Sequence, residues 1–173
     1  DIGYALGKIN PSYKLEVYSN EKDERIYSVF DKNVNIEYKG SVPYTQVQQR
    51  MAESDITVIV EGFEEKDINL SRYSLSTKAA DALASGAAIL TYGSMESGII
   101  DYMKSTNASM VCTDKSELIT SIKKLIEDTK LQRDYYEQAI VMTKEHHNLQ
   151  ASCKTSEQVI EKAIRHMKKV ENR

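Results

Sequence analysis

The stretch Ser74–Gly93, with the sequence SLSTKAADALASGAAILTYG, decides the fold class of this 173-residue chain. A helix is predicted over residues 78–85, because this segment is rich in strong helix formers. Ser76 and Thr77 before it are residue types preferred at helix N-caps. Gly86 suits the left-handed conformation that often ends a helix. The apolar run that completes the stretch has the length of a buried strand, so the whole stretch predicts a helix–strand unit.

Strands and helices alternate along the rest of the chain in the same way. Strands are predicted at 14–18, 34–38, 56–60, 87–92 and 108–112. The run ITVIV at 56–60 is β-branched throughout, as in strands covered on both faces. Five alternations predict an α/β fold: a doubly wound, mostly parallel, Rossmann-like sheet. Residues 1–128 are predicted to form this domain, and residues 129–173 a C-terminal extension of helices packed on it.

Several segments are less regular. Residues 1–10 have apolar residues at helical spacing and are predicted to be helical, with a strand remnant at residues 2–5 as the alternative. Residues 61–73 are charged and are predicted to be an irregular loop. Thr45 with Gln48, and Thr155 with Gln158, have the spacing of a capping box and predict two helix starts.

Composition excludes several classes of protein. Charged residues make up 28% of the chain, and the net charge is −3 with Lys and Arg spread evenly, which argues against a nucleic-acid partner. No apolar run approaches the roughly 20 residues of a membrane span. The two cysteines and three histidines lack metal-ligand spacing, so we expect no metal site, reduced cysteines and surface histidines. The first residue is not Met, and we expect the chain to be part of a longer protein.

The most promising place for a ligand is the edge where the parallel strands end, because ligands of such sheets bind there. The predicted helix start at Ser76, Thr77 and Lys78 lies at this edge and offers backbone N–H groups, hydroxyls and a positive charge to an anion. Asp81, one turn into the helix, is placed to accept hydrogen bonds from hydroxyls of the same ligand. The alternative is an ordinary capped helix start with a Lys78–Asp81 surface pair.

The string STKAADALASGAAIL at residues 76–90 resembles the donor-site segment of GT-B-fold glycosyltransferases, the retaining kind called family 4. That family carries a variant of S-T-K-x-x-E-x-L-A-x-G-x-P-I-L at this point. Asp81 stands at the acidic position, one methylene shorter than the usual Glu, and Ala88 stands where Pro is frequent. The resemblance covers about residues 15–126 and implies the C-terminal, nucleotide-sugar-binding half of a GT-B enzyme. No segment is predicted to form the first, central strand of that half, which would be lost or supplied otherwise.

The resemblance also implies roles for individual residues. The acidic residue would bind the ribose hydroxyls, the helix start the diphosphate, and the turn before residue 45 the base. Glu61 would begin the family's E-x7-E motif, although it lies 20 residues before Asp81. Gly98 begins GIIDY, which resembles the family's G-G-x-x-E-x-V segment. The residues expected to bind the donor are Ser76, Thr77, Lys78, Asp81, Pro43, Tyr44, Glu61 and Gly98.

The function implied is transfer of a sugar from a nucleoside-diphosphate sugar to a glycan or lipid-linked acceptor, in a surface-polysaccharide pathway. The donor is a substrate, and no cofactor is expected. The acceptor and the catalytic contacts would come from an N-terminal domain outside this chain, so no catalytic residue is assigned. Alone, the chain is expected to be inactive, to bind the donor weakly, and to be able to form a homodimer through its last helix. The expected location is the cytoplasm or the inner membrane surface. Two alternatives stay open: half of a nucleotide-sugar epimerase of the same fold, and a non-catalytic doubly wound binding module.

Overall fold

Helices and strands alternate along the chain as the hydrophobic pattern predicts. The structure is a computed structural model that describes residues 1–171, with all side chains in that range except those of 26–27 and 168–171. The strands are β1 (Leu15–Tyr18), β2 (Ile36–Gly40), β3 (Ile56–Val60), β4 (Ala88–Tyr92) and β5 (Met110–Cys112). The helices are α1 (Ile2–Ile9), α2 (Glu24–Asp31), α3 (Tyr44–Glu53), α4 (Glu65–Ser71), α5 (Lys78–Ser85), α6 (Gly98–Thr106), α7 (Leu118–Glu127), α8 (Thr129–Glu145) and α9 (Leu149–Glu171).

The strands form two parallel sheets. β1 pairs with β2, and β4 lies between β3 and β5 in a sheet of three strands. In the second sheet Ile56 lies opposite Ala88, and Leu90 lies opposite Met110. The predicted α/β fold with parallel strands is therefore confirmed. Because the strands of the second sheet are parallel, they all end at one edge, which we call the carboxyl edge.

The core covers both faces of the three-stranded sheet. Neighbouring residues of β4 belong to two separate hydrophobic clusters. Ile89 packs with α5, α6 and α8, and Leu90 packs with α1 and α7. Each has 1% of its surface exposed, and burying a side chain of this size stabilises the fold by about 1.5–3 kcal/mol. β4 is therefore the centre of a layered α/β/α arrangement, and the helix before it, α5, is held against the sheet.

α5 has the predicted bounds and the predicted stop. Gly86 follows it with φ +81°, in the left-handed region that favours glycine. Its buried residues are Ala79, Ala82 and Leu83, and two of these are small enough to let the helix approach the sheet closely.

The segment 61–73 is not the irregular loop that was predicted, because it contains α4. Glu65 and Asp67 lie in the first turn of this helix, where acids interact favourably with the helix dipole. Ile68 is its one large buried side chain. A seven-residue helix with one apolar anchor has no readable periodicity, which is why the composition indicated a loop.

The capping boxes predicted at Thr45 and Thr155 are wrong. α3 begins one residue before Thr45, with Pro43 as its N-cap and no side-chain capping bond. Thr155 lies inside α9, where its hydroxyl donates to the carbonyl of Ala151 at 3.0 Å. Threonine hydroxyls in the interior of a helix commonly bond the carbonyl one turn back. Threonine therefore occurs both at N-caps and inside helices, and its presence alone does not mark a helix start.

The late helices differ in how they meet the sheet domain. α8 contributes the buried Ala139 to the core beside α5 and α6. α9 is exposed over all of its described side chains, including Val159, Ile160 and Ile164. The division of the chain after residue 128 stays a prediction.

Candidate functional site

The carboxyl edge brings several predicted residues together. β3 ends at Val60 and β4 at Tyr92, and the backbone N–H of Glu61 donates to the carbonyl of Tyr92 at 2.9 Å. α5 leads back to the start of β4, so its first residue, Lys78, lies at the same edge as Glu61. The charge of Lys78 acts on the Glu61 carboxyl group.

Asp81 lies in the first turn of α5 and is contacted by two side chains of α3. Its Oδ1 accepts a hydrogen bond from the Tyr44 hydroxyl at 3.3 Å and another from Gln48 Nε2 at 3.3 Å. Tyr44 and Asp81 were predicted to bind the same ligand from separate parts of the sequence, and the packing of α3 on α5 places them side by side. The alternative Lys78–Asp81 pair is not among the ion pairs of the residues that the structure describes.

Tyr44 is a neutral donor in this arrangement. The charge of Asp81, together with the hydrogen bond, raises the pKa of the Tyr44 phenol above its usual value near 10. The side chain therefore keeps its proton at physiological pH. The residue is 69% exposed, so its ring is open to a ligand that occupies the edge beside Asp81.

The start of α5 is open to solvent. Thr77 stands at the N-cap, but its side chain makes no capping hydrogen bond. The Ser76 hydroxyl accepts from the Lys78 N–H at 3.3 Å, and Thr77 and Lys78 are both exposed. The N–H groups of Ala79 and Ala80 donate to the carbonyls of Ser76 and Thr77 in this turn. What this end offers an anion is therefore the positive end of the helix dipole and the exposed ammonium of Lys78.

Glu61 is a partly buried carboxyl group at the same edge. Burial raises its pKa, the nearby charge of Lys78 opposes that rise, and the charge of Asp67 adds to it. The three groups are therefore close enough to influence one another. A partly buried carboxyl group beside a lysine, at the edge where the strands end, is a candidate ligand-binding group.

Gly98 has a packing role in the structure. A Cβ at this position would lie 2.9 Å from the carbonyl oxygen of Arg72 and 3.0 Å from that of Ser74. The buried hydroxyls of Ser71 and Ser97 lie 2.8 Å apart in the same contact. α6 thus begins against the segment that leads into α5, and Gly98 permits the approach.

Pro43 lies next to the Asp81 cluster. It is exposed, and its carbonyl accepts a hydrogen bond from Gln46 N–H at 2.8 Å in the first turn of α3. Its fixed φ of −56° is compatible with the helix that follows. Pro43 therefore directs the start of α3, from which Tyr44 reaches Asp81.

The structure also has cavities away from this edge. One of about 470 Å³ lies between α7 and α8, and one of about 410 Å³ lies at the amino ends of β3 and β4. None of the predicted donor-binding residues lines either cavity. The candidate site is therefore an open rim of the domain rather than one of these two cavities.

Sequence reasoning missed Gln48 as part of this site, because it treated the residue as half of a capping box. The signal that could have found it is its spacing from Tyr44. Residues four apart lie on the same face of a helix, so an aromatic donor and an amide donor were predictable neighbours. Their common acceptor is 33 residues further along the chain from Gln48 and was not predictable from spacing.

Across the described part of the chain, His, Cys, Asp and Glu form no group of three or more that could hold a metal ion. No helix within residues 1–171 combines the length and apolar character needed to cross a bilayer.

Comparisons with known proteins agree with this fold. The chain belongs to the glycosyl transferase-like family, whose model matches residues 4–158. Among solved structures, it is similar to WaaG, a glycosyltransferase involved in lipopolysaccharide biosynthesis, with a TM-score of 0.62 and 15% identity. The match covers 83% of this chain and 38% of WaaG. No curated protein matches the chain. The predicted resemblance to the C-terminal domain of GT-B-fold glycosyltransferases is confirmed.

Proposed function

We propose that this chain is the donor-binding domain of a glycosyltransferase and that it binds a nucleoside-diphosphate sugar at the carboxyl edge. One observation carries the proposal: Asp81, Tyr44 and the open start of α5 lie together at that edge. They do so in a chain of a glycosyltransferase family.

Each part of the donor has a matching group. The Asp81 carboxylate accepts from the ribose hydroxyls, and hydrogen bonds to a charged acceptor contribute about 1.5–3 kcal/mol each. The start of α5 and the ammonium of Lys78 bind the diphosphate, as helix N-termini commonly do. The exposed ring of Tyr44 lies beside Asp81 and offers a surface on which the base can stack.

The transfer itself needs a second domain under this proposal. The chain spans 38% of the length of WaaG, and its candidate site is open on one side. A domain that faces this rim would supply the acceptor, a glycan or a lipid-linked sugar of a polysaccharide pathway. The part played by this chain is to orient the donor and to neutralise the leaving diphosphate. The proposal includes a location in the cytoplasm or at the inner membrane surface, which cell fractionation tests.

The direct test is a thermal-shift screen of this chain with UDP, GDP, ADP and their sugars. A ligand at 100 times its dissociation constant stabilises the folded state by about 2.7 kcal/mol. We expect one base to be preferred and the diphosphate to be required. Absence of stabilisation by every compound would overturn the proposal and favour a non-catalytic module.

A substitution then locates the site. Asp81→Ala is expected to weaken binding of the selected nucleotide about tenfold, or ~1.4 kcal/mol, without unfolding the domain. The control is Asp134→Ala, which removes an exposed acid of α8. Calorimetry that gave the same affinity for both variants and the wild type would exclude Asp81 from the site.

The epimerase alternative and the expected homodimer have their own measurements. With a full-length protein, release of a free epimer in the absence of any acceptor would favour the epimerase reaction. Sedimentation of this chain as a dimer, lost when Ile160 and Ile164 of α9 are replaced by Ser, would support dimerisation through the last helix.

A further inference from the structure

We propose that Gln48 is a positioning residue of the donor site. Together with Tyr44 it holds one carboxylate oxygen of Asp81, so that the other oxygen faces the ribose hydroxyls. This inference rests on the proposed function and names a residue that acts through Asp81 rather than on the ligand.

The geometry that carries it is the convergence of two donors on one atom. The Tyr44 hydroxyl and Gln48 Nε2 both lie 3.3 Å from Asp81 Oδ1. Within the described chain, Oδ2 of Asp81 receives no hydrogen bond from another residue. A carboxylate has about four lone-pair sites and only accepts hydrogen bonds. One oxygen is therefore engaged by the protein, and the other is left for a ligand.

The two donors come from one rigid element. Tyr44 and Gln48 are one helical turn apart on α3, and the helix packs against α5. The last torsion of an aspartate side chain is broad and roughly two-fold, so the carboxylate is not oriented by its own rotamer. Donors from a neighbouring helix restrict that torsion before a ligand arrives, which lowers the ordering cost on binding.

Tyr44 has two proposed roles in the site, whereas Gln48 has one. Tyr44 has a large exposed ring and is already assigned to the base, so its removal would change more than the carboxylate. The hydrogen bond to Asp81 is the one that the described structure gives the Gln48 side chain. Gln48 is therefore the residue that reports on positioning alone.

The neighbouring residue provides a matched control. Gln49 is also an exposed glutamine of α3, but its Nε2 donates to Glu53 Oε1 of the same helix at 2.7 Å. Gln48→Ala and Gln49→Ala make the same chemical change at adjacent positions. Only the first removes a donor to Asp81.

The experiment is calorimetry with UDP, GDP and ADP and with the 2′-deoxy form of whichever binds. Gln48→Ala is expected to weaken binding of the ribonucleotide about threefold to tenfold. It should weaken the 2′-deoxy form less, so the preference for ribose falls. Gln49→Ala should leave both affinities and the preference unchanged. In an Asp81→Ala background, Gln48→Ala should have no further effect. Urea unfolding checks that each variant keeps its fold.

Replacing the neutral amide by a carboxylate tests the same contact with a repulsive group. Gln48→Glu places a second carboxylate against Asp81, so binding should be weaker than in Gln48→Ala at neutral pH.

The possible failures are distinguishable. If wild-type protein binds and prefers ribose, but Gln48→Ala matches Gln49→Ala, the positioning role is wrong and the proposed function stands. Equal losses for the ribose and 2′-deoxy forms, or a full additional loss in the Asp81→Ala background, also overturn the positioning role. If wild-type protein binds no nucleotide, the proposed function fails and this inference fails with it.

Discussion

Two helices, α5 and α6, begin at the carboxyl edge, and their first residues have opposite surroundings. α6 begins at Ser97 and Gly98, and Ser97 is fully buried against Ser71. α5 begins after Thr77, which is exposed and makes no capping bond with its side chain. Both starts carry the partial positive charge of a helix N-terminus.

The difference shows which helix start is available to a ligand. The start of α6 is occupied by the protein, because the backbone of residues 72–74 fills the space beside Gly98. The start of α5 faces solvent, with Lys78 and Asp81 within one turn of it. Substitutions at the start of α6 should therefore change stability, whereas those of the exposed residues at the start of α5 should change binding and leave stability almost unaltered.

Gly98→Val, at the filled start of α6, should cause the largest loss of stability. The added side chain meets two backbone carbonyls that cannot move independently, and overpacking of this kind costs up to about 3 kcal/mol. Urea unfolding measures the loss. Thr77→Val at the exposed start of α5 is the control and should stay within about 0.5 kcal/mol of the wild type. Equal stability of the two variants would show that α6 is no more tightly packed than α5.

Ser71→Ala should have the next largest effect. The Ser71 hydroxyl lies 3.0 Å from the Asp67 carbonyl and 2.8 Å from the Ser97 hydroxyl. If Ser71 donates to the carbonyl, Ser97 donates to Ser71, and Ser71→Ala leaves a buried donor unpaired at a cost of about 1–3 kcal/mol. Ser97→Ala should cost less, because Ser71 keeps its carbonyl partner. Chemical denaturation measures the loss of stability in each variant. A larger loss for Ser97→Ala than for Ser71→Ala would contradict this assignment of donors.

Lys78→Ala tests the open start of α5, where a substitution should change binding. We expect unchanged stability and about fivefold weaker binding of the nucleoside diphosphate, equivalent to ~1 kcal/mol for one exposed charge contact. The difference from the wild type should narrow as salt is added, because exposed charges are screened. Lys104→Ala, in the last turn of α6, is the control. A loss of affinity that did not depend on salt would argue against a charge contact.

Glu61→Gln should have the smallest effect and a defined sign. Burial raises the folded-state pKa of Glu61 above its unfolded value. The folded state therefore holds the proton more tightly, and Glu61 destabilises the fold progressively as pH rises from the unfolded pKa to the folded pKa. Above the folded-state pKa, the destabilisation by the charged Glu61 is complete. The variant should thus gain stability relative to the wild type on going from about pH 4 to neutral pH. Parallel stability–pH curves for the two proteins would refute the effect of burial.

Local signals predicted much of the fold. α5, Gly86 and β4 were predicted because helix propensity, the glycine stop and the apolar run all lie within one short window. α4 was missed because its single apolar anchor, Ile68, gives no period. His147 was expected at the surface, but it is partly buried and lies 2.6 Å from the Tyr102 hydroxyl. The contact joins the turn after α8 to α6 across 45 residues, beyond the reach of any local pattern.

The parallel α/β class, the helix–strand unit around Asp81 and the resemblance to GT-B glycosyltransferases were all predictable from the residues along the chain. The contacts of Tyr44 and Gln48 with Asp81, and the difference between an open and a filled helix start, depend on how the helices pack. Propensities and caps act over a few residues, so they are readable along the chain. The solvent exposure of a helix end depends on segments far away in sequence, and these come together only when the helices pack on the sheet.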